Sequence, residues 1–137
     1  MQPGPLAATV NELLDAGKRV FISDDNPTFG FGPFMCKYRQ GLLLGKRCDM
    51  DSADFEARHA SYTAQLQEVV EAAPGSALLE VATYFCDEST CSMRVGDEVL
   101  FRDLNHLNLL GSDYLAQNVL RDDARLAEGL GRIAPAP

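Results

Sequence analysis

The chain has 137 residues and 14.9 kDa, room for one domain with its own core. It is 46% apolar and 23% charged, which excludes a wholly disordered or fibrous chain. Twelve basic against twenty acidic residues give a net charge of −8 and a pI near 4.6, so nucleic acids and anionic membrane surfaces are excluded as partners, because both need a basic footprint.

The longest apolar runs, such as 42–44 and 77–79, span three residues, so no segment is expected to insert into a bilayer. Residues 1–5 lack the basic start and apolar stretch of a signal peptide and read as the start of an excised domain.

In chain order, residues 5–16 predict a helix, with Leu6, Val10, Leu13 and Leu14 on one side and Gly17 as its stop. Residues 18–23 predict a buried strand, halted by Asp24-Asp25-Asn26-Pro27. The stretch to about residue 51, with Gly30, Gly32, Pro33, Gly41 and Gly45, reads as a long loop. Residues 52–73 carry the clearest pattern. Phe55, His59, Tyr62, Leu66, Val69, Val70 and Ala73 share one helical stripe, and Asp54, Glu56, Arg58 and Gln65 face away. A second strand is expected over 77–82. Strand, long helical crossover and strand make a right-handed βαβ unit, hence a parallel sheet. Gly96-Asp97 predicts a small hairpin between 93–95 and 98–101, and the last helix is expected over about 112–121. Residues 130–137 read as a tail behind a core of about 5–129. Two parallel strands are a narrow sheet for three helices, which points to the later portion of a larger α/β domain.

Cys36, Cys48, Cys86 and Cys91 are even in number and locally spaced, with gaps of eleven and four residues. Two disulfides, Cys36–Cys48 and Cys86–Cys91, fit that spacing and imply an oxidising compartment. Unpaired structural thiols and a four-thiolate zinc site remain the alternatives, although the usual two-residue knuckle spacing is missing. No other pattern asks for a metal, and none for a cofactor.

His59, on the apolar stripe, reads as a packed helix histidine with one hydrogen bond. His106 lies between a strand-like run and a helix, where α/β sheets place ligand sites, and Asp103 stands three residues before it. Asp103 could orient the imidazole through Nδ1 and leave Nε2 as general base; the plainer reading is a capping Asp beside an exposed His.

The run Leu100-Phe101-Arg102-Asp103-Leu104-Asn105-His106-Leu107-Asn108-Leu109-Leu110-Gly111 resembles the last signature block of the SGNH (GDSL-like) hydrolase superfamily. It is similar in particular to the extracytoplasmic SGNH domain fused to bacterial membrane acyltransferases of the acyltransferase-three family. The strand from Gly17, the Pro and Cys loop to Cys36 and the cysteine-bracketed turn Cys86–Cys91 extend the resemblance over most of residues 8–121. It implies a flavodoxin-like three-layer α/β/α fold, present in part with a short parallel sheet. It also implies a periplasmic or extracytoplasmic chain, tethered to the inner membrane through a membrane domain of the parent, and O-acylation of a surface glycan such as lipopolysaccharide. His106 would be the general base and Asp103 its orienting partner.

The family's nucleophile follows Gly-Asp, and none of the seven serines here does. Asp51-Ser52 is explained as a helix cap, and Gly96-Asp97 leads to Glu98. The chain is therefore expected to be the C-terminal portion of an SGNH domain, carrying the Asp-His half of the site and inactive alone. The rival readings are a non-catalytic extracytoplasmic binding or regulatory module, and a cytosolic thiol protein using Cys86 and Cys91.

Overall fold

The computed structural model describes residues 3–38 and 48–131. Two β-strands, β1 (Phe21–Ser23) and β3 (Ala77–Leu79), pair in parallel with Phe21 opposite Ala77 and Ser23 opposite Leu79. Between them run helix α2 (Pro33–Tyr38), strand β2 (Asp49–Asp51) and the long helix α3 (Ser52–Ala72). Before β1 stands α1 (Pro3–Asp15). The βαβ unit and its parallel sheet thus form as the hydrophobic pattern predicts.

Helix α1 ends by a double carbonyl capture. Lys18 N–H reaches the Leu13 carbonyl at 2.9 Å and Gly17 N–H reaches Leu14 at 2.9 Å. That pairing needs a left-handed residue, and Gly17 sits at φ 74°. The turn lets α1 fold back on α3. Ala7 and Val10 meet Val69 and Ala73, with Val20 and Ile22 of the strand region beneath them. Asp51 caps α3, its carboxylate accepting from Ala53 N–H at 2.9 Å.

Both strands are shorter than the 18–23 and 77–82 runs suggest, and one residue explains it. Asp24, at the carboxyl end of β1, is nearly fully buried. Its Oδ1 accepts the backbone N–H of Val81 at 2.6 Å and of Ala82 at 3.3 Å. Those donors open a 3-10 turn, Val81–Tyr84, so the chain leaves β3 after Leu79. Oδ2 of Asp24 lies 3.1 Å from His59 Nε2 on α3. One carboxylate therefore ties the strand end, the turn and the long helix.

A second core lies toward the other end of the chain. Phe29, Phe85 and Phe101 pack edge-on at 5.1 and 5.2 Å, around buried Met93 and Leu100. Strand β4 (Thr90–Ser92) pairs antiparallel with β2, a pairing the loop-like stretch before residue 51 did not announce. Strands β5 (Arg94–Val95) and β6 (Glu98–Val99) form the expected hairpin, with Gly96 at φ 58°. Cys36–Cys48 and Cys86–Cys91 are disulfides and no free cysteine remains, so neither zinc thiolates nor a dithiol is present.

Three expectations need correction. The stretch 24–51 is not all loop, since it holds α2 and β2. The last helix, α4 (Leu109–Asp122), begins at its Asn108 cap rather than at Ser112, and a further helix α5 (Ala124–Gly131) follows it. Asp123 starts α5 by accepting Arg125 and Leu126 N–H at 3.0 and 3.1 Å, so 130 and 131 belong to a helix rather than a tail. Gly41, Gly45 and residues 132–137 lie outside the described residues. No helix among the described residues is long and apolar enough to cross a membrane.

Removing the Asp24 carboxylate leaves two backbone donors and an imidazole N–H without their acceptor in the interior. Asp24→Ala should cost about 3 kcal/mol, read as a lower denaturant midpoint, the scale of hydrogen bonds to a charged group. A midpoint unchanged from wild type would refute this role.

Candidate active site

The segment from Phe101 to Leu107 is a tight loop closed on itself. Phe101 and Leu107 form a β-bridge, and Arg102 N–H reaches the His106 carbonyl at 2.9 Å. Phe101 is buried and anchors the loop in the aromatic core. Inside it, Asp103 Oδ1 accepts the N–H of Asn105 at 3.1 Å and of His106 at 2.8 Å. The carboxylate thus shapes the turn, as the capping reading expects, though the helix cap proper is Asn108.

The same carboxylate faces the His106 ring, with Nδ1 at 3.0 Å from Oδ1 and 2.9 Å from Oδ2. A carboxylate at that position favours the tautomer with its proton on Nδ1, leaving the Nε2 lone pair outward. The two backbone N–H groups, His106 first, hold the Asp103 carboxyl below the usual aspartate range; the His106 ring adds to the effect. The side chains are open to solvent, 61% for His106 and 46% for Asp103. Leu104, Leu109 and Leu110, near them along the chain, are exposed too, Leu109 at 91%. No hydroxyl hydrogen-bonds to His106 among the described residues. Ser52, Ser76, Ser89 and Ser92 spend theirs on Glu88 O, Ala73 O, Asp87 and Cys48 O.

What fixes the loop is the start of α4. Asn108 N–H binds the Leu100 carbonyl at 2.9 Å, and its amide donates to the Val99 carbonyl at 2.7 Å. Its Oδ1 takes the Gly111 N–H at 2.9 Å. This brings the Gly111 backbone against Leu100, where any Cβ would run into the Leu100 carbonyl. The Asn-x-x-Gly part of the motif is therefore a joint between strand end and helix that starts two residues after His106.

His59 sits elsewhere, on α3, held by Asp24 and stacked on Phe55 at 4.6 Å. It lines a cavity of about 360 Å³ together with Asn26, Thr28, Arg58 and Tyr62. Asp103 and His106 do not line it. The two places are linked instead, since Asn26 Nδ2 donates to the Asn105 carbonyl at 3.4 Å and Phe29 N–H to Leu104 at 2.8 Å. Sequence reasoning missed Asp24 and Asn26 as more than strand breakers. A run of short polar residues at the carboxyl end of a strand was the available signal. No group of three or more His, Cys, Asp or Glu side chains among the described residues could hold a metal.

A parallel βαβ core with an Asp-x-x-His loop leading into the closing helices defines a mixed α/β chain of SGNH-like type. The chain belongs to the family of SGNH domains fused to AT3 domains, whose model matches residues 2–121. No curated protein and no solved structure matched it. The two disulfides are consistent with an extracytoplasmic domain.

Two outcomes follow. Gly111→Ala should lower stability by about 1–3 kcal/mol, because backbone on both sides must move, and should shift the amide resonances of residues 103–107. Asp103 has its folded value depressed, so its support of the turn is present above the ordinary aspartate value of 3.8 and is lost as pH falls through the depressed value. In an NMR pH titration the protonation shift of the Asp103 side-chain carboxyl carbon should have its midpoint below that ordinary value. A midpoint at or above it would contradict the assignment.

Proposed function

We propose that this chain is the C-terminal portion of an SGNH domain and supplies the Asp-His half of a Ser-His-Asp acyl-transfer site. The parent would be a membrane acyltransferase that O-acetylates sugars of a cell-surface polysaccharide or lipopolysaccharide, with this domain on the extracytoplasmic side of the inner membrane. The observation that carries the reading is the two-oxygen grip of Asp103 on His106 Nδ1, which leaves Nε2 on the far side of an exposed ring, in a chain of this family.

The chemistry runs in two halves. His106 Nε2 takes the proton of a serine hydroxyl as that oxygen attacks the acyl carbonyl, and returns it to the leaving group. An acyl-serine results. A sugar hydroxyl then attacks the ester carbonyl while Nε2 takes its proton, and the serine oxygen leaves with that proton. Asp103 stabilises the imidazolium formed each time. The serine would come from another part of the parent. The open side of His106 and the exposed Leu104, Leu109 and Leu110 suit a body that covers the dyad and excludes water.

In the parent protein, His106→Ala should lower acyl transfer by about 10³-fold or more, with the melting temperature of the 137-residue chain nearly unchanged. The chain alone should not hydrolyse an activated acetyl ester. Parent activity that survives His106→Ala would leave Asp103 as a turn-former only and favour a non-catalytic binding or regulatory module. Turnover by the chain alone, abolished by one serine substitution within it, would overturn the divided site.

A further inference from the structure

The cavity beside α3 has a chemistry of its own. Phe55, His59 and Tyr62 stand one above another along a single face of the helix. The His59 ring is stacked on Phe55 and meets Tyr62 edge-on at 5.7 Å. Asp24 pins His59 from below, so the aromatic face is set before any ligand arrives, which lowers the ordering cost of binding. Such a face suits the C–H side of a saturated ring.

The polar groups on the lining, Arg58 and Thr28, say what such a ring carries. Asn26 lines the cavity, and the Asn105 carbonyl takes its Nδ2, which fixes the amide's orientation. Its Oδ1 is buried with no hydrogen-bond partner among the described residues, so it lies behind the cavity wall and out of a ligand's reach. Arg58 is held in place by two contacts within its own neighbourhood, Nε to the Asp54 carbonyl at 3.0 Å and Nη2 to the Met50 sulfur at 3.6 Å. It forms no ion pair with a carboxylate among the described residues. Three of its five N–H donors are left by those contacts, a fork that fits a carboxylate. Thr28 adds a hydroxyl. Asp25 is the one carboxylate on the lining, and its Oδ1 already accepts the Asn26 N–H at 2.8 Å. One guanidinium beside that carboxylate is poorly matched to a phosphate and adequate for a single carboxylate.

We propose that this cavity binds a pyranose bearing a carboxylate, a hexuronic acid residue, with the ring on Tyr62 and Phe55, the carboxylate on Arg58 and a ring hydroxyl on the exposed Thr28. A volume of about 360 Å³ is within the range of small-ligand sites. Taking this sugar as the acyl acceptor rests on the acyl-transfer reading; the binding itself does not. Asn26 connects the two places, because the carbonyl it holds belongs to the residue before His106.

The test is a ¹⁵N HSQC titration of the chain with methyl β-D-glucuronide, methyl β-D-glucoside and benzoate. The glucuronide should shift the amides of residues 26, 28, 58 and 62 and bind about tenfold more tightly than the glucoside, the scale of one charged hydrogen-bonded pair. Arg58→Gln, an exposed helix position, should bring the two sugars to equal affinity, and Tyr62→Ala should weaken both. Equal binding of glucoside and glucuronide by the wild type, binding of benzoate as tight as that of the glucuronide, or no shifts at these residues would each overturn the proposal. So would glucuronide binding untouched by Arg58→Gln. None of these results bears on His106, whose role is read from transfer by the parent.

Discussion

A single buried carboxylate holds the parallel half of this molecule together. Asp24 sits where β1 ends and takes donors from a turn 57 residues later and from a helix 35 residues later. A charge in the interior persists only when its hydrogen-bonding capacity is met, and here three N–H groups meet it. The arrangement explains why β1 and β3 are only three residues long, why α3 lies where it does, and why His59 is fixed in one orientation. A hydrophobic residue at position 24 could fill the space, but it would leave the start of the 3-10 turn without an acceptor.

The other half depends on a joint of a different kind, made by closeness rather than charge. Gly111 lets the first turn of α4 press against the Leu100 carbonyl, and Asn108 spends its side chain and backbone on both sides of that contact. Since Phe101 is locked in the aromatic core and Asn108 in the joint, the residues between them form a short loop fixed at both ends. Asp103 then needs only its own carboxylate to shape the turn and to grip His106. The Asp103–His106 pair is thus held by its own loop although both side chains are open to solvent.

Strap contacts connect the halves. Phe29 and Asn26, from the loop after β1, bind the carbonyls of Leu104 and Asn105. The loop after β1 thus touches both the cavity beside α3 and the dyad loop. The disulfide Cys36–Cys48 lies in the aromatic core beneath that loop, while Cys86–Cys91 closes the turn that Asp87 organises by accepting Ser89 and Thr90 N–H at 2.8 Å each.

The features legible in the sequence are those whose partners are close along the chain. Asp103 and His106 are three residues apart, so their meeting is a property of one turn, and the Gly17 stop, the Asp51 cap and the α3 stripe are likewise local. The parallel pairing of β1 and β3 was readable because a helical crossover allows little else. Short helices were not: α2 and α5 have six and eight residues, too few to be helical without tertiary support, and their patterns carried no clear period. Nor could local pattern show that Asp24 meets His59, that Asn26 reaches Asn105 across 79 residues, or that Arg58, read as facing away, lines a cavity. By itself the sequence determined the α/β class, the cysteine pairs and the dyad, because each rests on short spacings and fixed backbone geometry. The tertiary structure alone decided which polar groups are buried together and which surface is left open, because burial depends on segments that meet only when the whole chain has folded.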